Sequence, residues 1–225
     1  MDPQAGFPAQ TSLTKLLTWL SPAFPTGAFA YSHGLEWAVE AGDVTSEAAL
    51  LPWLEDTLTH GAGHTDATLL RHAHRATTAG ALQAIATLAA AAQPGRERRS
   101  ETLAQGDAFS LAARVWGAPL LEALPPPVAY PVALGALAAA HSVPEDATTL
   151  AFLHAFAANL TSAAIRLIPL GQTAGLRTLA ALEPTLHQVA RDTEHAPLDG
   201  IGGACLRADI ASMRHETQYT RLFRT

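Results

Sequence analysis

Apolar residues recur every three or four positions along most of the chain and nowhere sustain alternation with polar ones, which restricts the fold to helices more tightly than any other feature. The clearest stretch follows Pro144. There Leu150, Leu153, Ala157, Leu160, Ala164 and Leu167 form one stripe, with Phe152, Phe156 and Ala163 beside it. A helix apolar over most of its circumference belongs at the centre of a bundle. Pro169 ends it, because a proline ring disfavours helical geometry in the residue before it. Hydrophobic residues make up 48% of the 225 residues but aromatics only 6%, so the core must be built from Ala and Leu. Alanine is also the best intrinsic helix former. The expected fold is all-α: a single-domain helical bundle over residues 1–225, with a buried central helix.

The same periodicity predicts helices over Leu13 to Leu20, Ala28 to Ala41, Ser46 to Gly61, Thr65 to Ala79, Ala81 to Ala92, Arg98 to Val115 and Thr173 to Arg191. Ser46 is placed as an N-cap and Pro52 as an internal bend. Pro125, Pro126 and Pro127 make a stiff connector, with helical pattern resuming at Val132. A weak pattern runs from Leu206 to Arg224. Gly200, Gly202 and Gly203 precede it, so the tail 206–225 is expected to be free to move until something holds it, as is the N-terminal stretch 1–11.

Charge and cysteine content narrow the function. Charged residues are 15% of the chain, against roughly 25% for an average soluble protein, so part of the surface is expected to be covered by a partner. A formal net charge of −6 opposes nucleic-acid binding, which needs a clustered basic footprint. The one dense basic run, Arg96 to Arg99 around Glu97, reads as a solvated helix start. Cys205 is the single cysteine and suits a reducing compartment. No signal-peptide pattern opens the chain, and the longest apolar run, Val132 to Ala140, is short of the roughly 18 residues that span a bilayer. A cytoplasmic protein without membrane contact is expected.

Catalytic patterns are missing. Neither G-x-x-x-x-G-K-[ST] nor a strand followed by G-x-G-x-x-G occurs, so no nucleotide or other cofactor is expected. His72 and His74, two apart, point to opposite sides of a helix. His60 and His64 have ligand spacing, but Gly61 and Gly63 weaken the helix between them, so no protein-only metal site is assigned. Ser32, in Ala30-Tyr31-Ser32-His33-Gly34, has the look of a nucleophile elbow without the strand that lifts the serine. Glu36 and Glu40 share a helix face but lack a partner base. No catalytic residue is assigned, and the chain is read as a non-enzyme.

One loop stands out: Leu20-Ser21-Pro22-Ala23-Phe24-Pro25-Thr26-Gly27-Ala28-Phe29-Ala30-Tyr31-Ser32-His33-Gly34-Leu35-Glu36. Prolines and a glycine fix its path, and its aromatics suit either a core plug or an interface anchor. The segment resembles the N-terminal signature of the UreF family of urease accessory proteins. Ala163-Ala164-Ile165-Arg166-Leu167-Ile168-Pro169-Leu170-Gly171-Gln172-Thr173 and the end from Ala208 to Phe223 are similar to the same family, as is, more weakly, Glu97 to Gly106. In order, these matches span nearly the whole chain.

That resemblance implies an all-α dimer that binds an accessory protein called UreD or UreH. The pair recruits the GTPase UreG, and the complex inserts nickel into apo-urease. It implies that Phe29 and Arg221 touch the GTPase, and that the tail orders on the UreD/UreH partner. Glu36, Arg166 and Gln172 fall in the family's motifs and bear on GTP turnover, and Tyr31 and Tyr219 join them as partner-binding positions. Each has a plainer reading. Arg221 could complement a helix dipole. Arg166 could pair with Glu36 or face solvent at its helix end, and Gln172 could serve the Pro169 to Thr173 turn. The rival functions are a metallochaperone carrying nickel on His60, His64 or His215, and a hydrolase centred on Ser32.

Overall fold

Prolines and glycines cut the helical pattern into twelve α-helices in a computed structural model that describes residues 8–225. They are α1 (Pro8–Trp19), α2 (Leu35–Glu40), α3 (Glu47–Thr59), α4 (Ala62–Arg75), α5 (Ala79–Ala91), α6 (Arg96–Ala113), α7 (Pro119–Glu122), α8 (Tyr130–Ala140), α9 (Glu145–Leu167), α10 (Gly171–Ala181), α11 (Glu183–Asp192) and α12 (Leu206–His215). Among the described residues there is no strand, so the expected all-α bundle is the fold found. Residues 8–11, part of the N-terminal stretch expected to be free, form the first turn of α1; the rest of that stretch lies outside the described residues.

Several boundaries moved for identifiable reasons. Ser46 caps α3, its hydroxyl accepting from the Ala49 N–H at 3.3 Å. The helix expected over Ala28 to Ala41 is a short 3₁₀ turn, Ala28–Ala30, followed by α2, because left-handed backbone at His33 and Gly34 interrupts it. The helix expected over Thr173 to Arg191 divides at Leu182: Pro184 sits in the first turn of α11, where it has no N–H to continue α10. The pattern after Leu206 stops being helical at His215.

The buried centre is α8. Residues Pro131 to Ala138 are all buried, between α4 and α6. Small side chains make this possible: a Cβ on Gly135 would meet the Leu70 carbonyl oxygen at 2.4 Å, so α4 and α8 touch backbone to backbone only with glycine there. The long helix α9 flanks this centre. It buries Phe152, Leu153, Ala157, Leu160, Ala163 and Ala164 but leaves His154 and Ser162 exposed. By length and composition alone α9 is long and apolar enough to cross a bilayer; here it packs against α2, α3, α4, α8, α10 and α11.

A polar clamp fastens the outer helices to α4. Arg71 is 2% exposed. Its guanidinium donates to Glu145 at 2.5 Å, Asp146 at 2.7 Å and the Ala190 carbonyl at 2.7 Å. Arg75 adds two bonds to Glu145, at 2.7 and 2.6 Å. A buried guanidinium is tolerated only when its donors are used, and here they tie α4 to the start of α9 and the end of α11. Arg71→Ala is expected to lower the unfolding free energy by about 3 kcal/mol, read as a lower urea midpoint with an unchanged denaturant slope.

Candidate functional site

The α1–α2 loop is built around a division of its aromatics. Phe24 turns inward, 5.2 Å from Phe109 and 6.0 Å from Trp116 between ring centroids, while Trp19 is fully buried against Trp116. With those anchors set, Gly27 (φ 74°) opens the 3₁₀ turn and Phe29 is left 67% exposed. The chain then turns back in, burying Tyr31 and Ser32. Gly34 is required twice over: its φ is 77°, and a Cβ there would lie 2.5 Å from the Ser212 nitrogen. Only glycine lets α12 cross this point.

The tail closes over the loop. Past His215 the chain leaves helical geometry, and its backbone polar groups must find other partners. Glu36, 7% exposed, supplies two of them: Oε1 accepts from the Leu222 N–H at 2.6 Å, and Oε2 from the Phe223 N–H at 2.9 Å. Oε2 also meets His215 Nε2 at 3.0 Å. The other ring nitrogen of His215, Nδ1, meets Glu97 Oε2 at 2.7 Å, and Glu97 Oε1 accepts from Arg221 at 2.8 Å. Further along, the Arg224 N–H donates to the Ala30 carbonyl at 2.8 Å. Ser32 donates to the Thr225 carbonyl through both N–H and hydroxyl, at 2.8 and 2.5 Å.

A second buried group lies beside the first. Glu101 accepts from Arg98, from the Thr225 hydroxyl at 2.6 Å and from Gln105 at 3.0 Å. Burial alone would raise the Glu101 carboxyl; the Arg98 guanidinium, with His33 and Thr225, outweighs it and holds the group at about 2. His33 is pushed down to about 4, first by burial and then by Arg98. Its Nδ1 lies between the two charged groups, 2.7 Å from an Arg98 guanidinium nitrogen and 2.9 Å from Glu101 Oε1.

On the outer side, Arg166 in the last turn of α9 reaches across the loop. Its guanidinium carbon is 3.7 Å from the Phe29 ring centroid and 4.2 Å from that of Phe223, and Nη2 donates to the Phe29 carbonyl at 2.7 Å. Such cation–π stacking holds both aromatics without a carboxylate partner. Partial burial draws the Arg166 pKa below its ordinary value. Phe29, Arg166, Gln172, Leu176 and Leu179 line a surface groove of about 390 Å³.

The UreF family model matches residues 44–183. A protein of Rhodopseudomonas palustris (strain TIE-1) named urease accessory protein UreF is 52% identical, over 100% of this chain and 99% of its own length. One of the same name from Bradyrhizobium sp. (strain ORS 278) is 54% identical over 98% of this chain and 95% of its own. A Methylobacterium sp. (strain 4-46) protein, again so named, is 52% identical over 93% and 87%. The chain belongs to the UreF family of urease accessory proteins.

Within this UreF-family chain, the seven residues singled out in the sequence separate into two sets. Phe29, Gln172, Tyr219 and Arg221 are exposed. Tyr31 and Glu36 are buried, and Arg166 is half-buried between two rings. Arg166 does not pair with Glu36, one of the alternatives open from sequence: Glu36 is occupied by the tail. The reading of Arg96 to Arg99 as a solvated helix start holds for Arg96 and Arg99 but not for Glu97 and Arg98, which are buried, because their face of α6 receives the tail. Residues not assigned to the site from sequence include His33, Glu97, Arg98 and Glu101; their contacts span 65 to 124 positions, and no local pattern announces such pairs.

The rival sites do not assemble. Ser32 is fully buried and its hydroxyl is spent on Thr225. His60 and His64 fall on either side of the break between α3 and α4, while His215 has both nitrogens against glutamates. No group of three or more His, Cys, Asp or Glu is placed to hold a metal among the described residues. Behind the tail contacts lies a cavity of about 240 Å³, lined in part by His33, Asp66, Arg98, Cys205 and Asp209.

Gly34→Ala is expected to lift α12 from α2 and lower the melting temperature by several degrees, on the order of 2 kcal/mol. Burial raises Asp66 from 3.8 to about 7, with Glu101 adding and Arg98 opposing. A carboxyl raised in the folded state contributes stability below its unfolded value and loses it as pH climbs to the folded one. The wild type should therefore weaken relative to Asp66→Asn between about pH 4 and pH 7, as measured by urea unfolding across that range.

Proposed function

We propose that this chain is a non-enzymatic scaffold for urease maturation, working in the cytoplasm as a homodimer. It binds a UreD/UreH-type accessory protein, and the pair recruits a UreG-type GTPase so that nickel is inserted into apo-urease. The relatives' shared name, urease accessory protein UreF, supports the link to urease. The observation that carries the scaffold reading is the composite surface made by the docked tail: Phe29 is held outward by Arg166, whose other face is covered by Phe223 of the tail. Exposed aromatic and arginine side chains on a braced loop are what interface hot spots consist of.

The tail offers a separate surface. Leu206, Ile210 and Met213 are 68%, 55% and 46% exposed and follow the i, i+4, i+7 spacing of one helix face, a stripe suited to burial against a partner. In this reading Phe29 and Arg221 contact the GTPase, with Tyr219 and Gln172 at the rim. The α12 stripe contacts the UreD/UreH-type protein. Tyr31, Glu36 and Arg166 act from within, by setting the loop and tail in place.

Co-purification of the full chain with a UreD-type protein and a UreG-type GTPase tests this. Phe29→Ala and Arg221→Ala are expected to weaken GTPase recruitment about tenfold or more each, roughly 1.4 kcal/mol, while the UreD-type protein still binds and the far-ultraviolet circular dichroism is unchanged. Unaltered recruitment by both variants would place the GTPase contact elsewhere.

A further inference from the structure

His215 is fully buried, and each of its ring nitrogens faces a carboxylate: Nδ1 meets Glu97 Oε2 at 2.7 Å, and Nε2 meets Glu36 Oε2 at 3.0 Å. An ionised carboxylate only accepts hydrogen bonds, and a neutral imidazole has one N–H to give, so both contacts are satisfied together only by an imidazolium. Glu36 is kept as the ionised acceptor by two further donors, the backbone N–H groups of Leu222 and Phe223. Glu97 is kept so by Arg221. The cluster is then balanced, with two carboxylates against His215 and Arg221. We infer that the tail after His215 is a releasable strap, docked on the α1–α2 loop while His215 carries its second proton and freed when that proton is lost.

Deprotonation leaves one carboxylate facing an imidazole lone pair in a buried site, and it removes one of two balancing charges from a buried group. The groups that face His215 come from three elements: Glu36 on α2, Glu97 on α6, and Arg221 from the tail itself by way of Glu97. On α6 the neighbouring cluster of Arg98 and Glu101, with His33 from the loop, is closed by the Thr225 hydroxyl, so release of the tail opens it as well. Undocking would uncover Ser32 and withdraw Phe223 from Arg166, which removes half of the brace behind Phe29. Docking binds a proton, so by linkage the strap is held at lower pH and let go as pH rises.

The test uses the full chain labelled with ¹⁵N. His215 side-chain nitrogen shifts report its charge directly, and amide exchange of Leu222, Phe223 and Ser32 reports docking. Core amides of α4 and α8 serve as the reference. Both His215 nitrogens should be protonated wherever the tail amides are protected. Protection, corrected for intrinsic exchange chemistry, should fall about tenfold or more in step with the His215 titration, with the core amides unmoved. In His215→Gln the tail should be weakly protected at every pH. A neutral His215 beneath a fully protected tail overturns the inference, as does the same pH dependence in His215→Gln. Should that variant fail to fold, the wild-type titration decides alone.

Discussion

The buried carboxylate of Glu36 is the contact on which the exposed half of the molecule depends. A charge that is 7% exposed must be met by donors, and all three that meet its oxygens come from residues 215 to 223. Satisfying Glu36 therefore pulls the tail across α2 and seats Phe223 against Arg166. That stacking in turn holds Phe29 outward. Gly34 makes the arrangement sterically possible, since any side chain there would occupy the space of the Ser212 backbone.

The helical core beneath is organised on a different principle. Alanine and glycine on α8 let α4 approach to backbone contact, so dispersion and burial do the holding and little aromatic volume is needed. Where charge enters this core it is clamped, as with Arg71 between Glu145, Asp146 and the end of α11. A rigid base of this kind lets a loop and a tail with little regular structure be placed reproducibly. Interaction surfaces carried on loops over a fixed scaffold are a common solution for the same reason.

The histidines show how composition can mislead. Ten in one chain invite a metal reading, yet several are spent on the fold. His72, His74 and His141 each place Nε2 on a backbone carbonyl, at 2.9, 2.8 and 3.0 Å. His33 belongs to the Arg98 and Glu101 cluster, and His215 bridges two glutamates. Membership of the UreF family ties the chain to urease accessory proteins through its relatives.

Local pattern determined the helical class, the Ser46 cap and the motifs that mark the family. Those signals are short-range: periodicity, capping chemistry and punctuation are all written within a few residues of where they act. The sequence alone did not determine that α8 rather than α9 takes the centre, or that Glu97 and Arg98 are buried. Nor did it pair Glu36 with the tail in place of Arg166. Each of these was decided by tertiary packing, because the energy of a buried charge or a close helix contact depends on partners 65 to 186 positions away, which no local window contains.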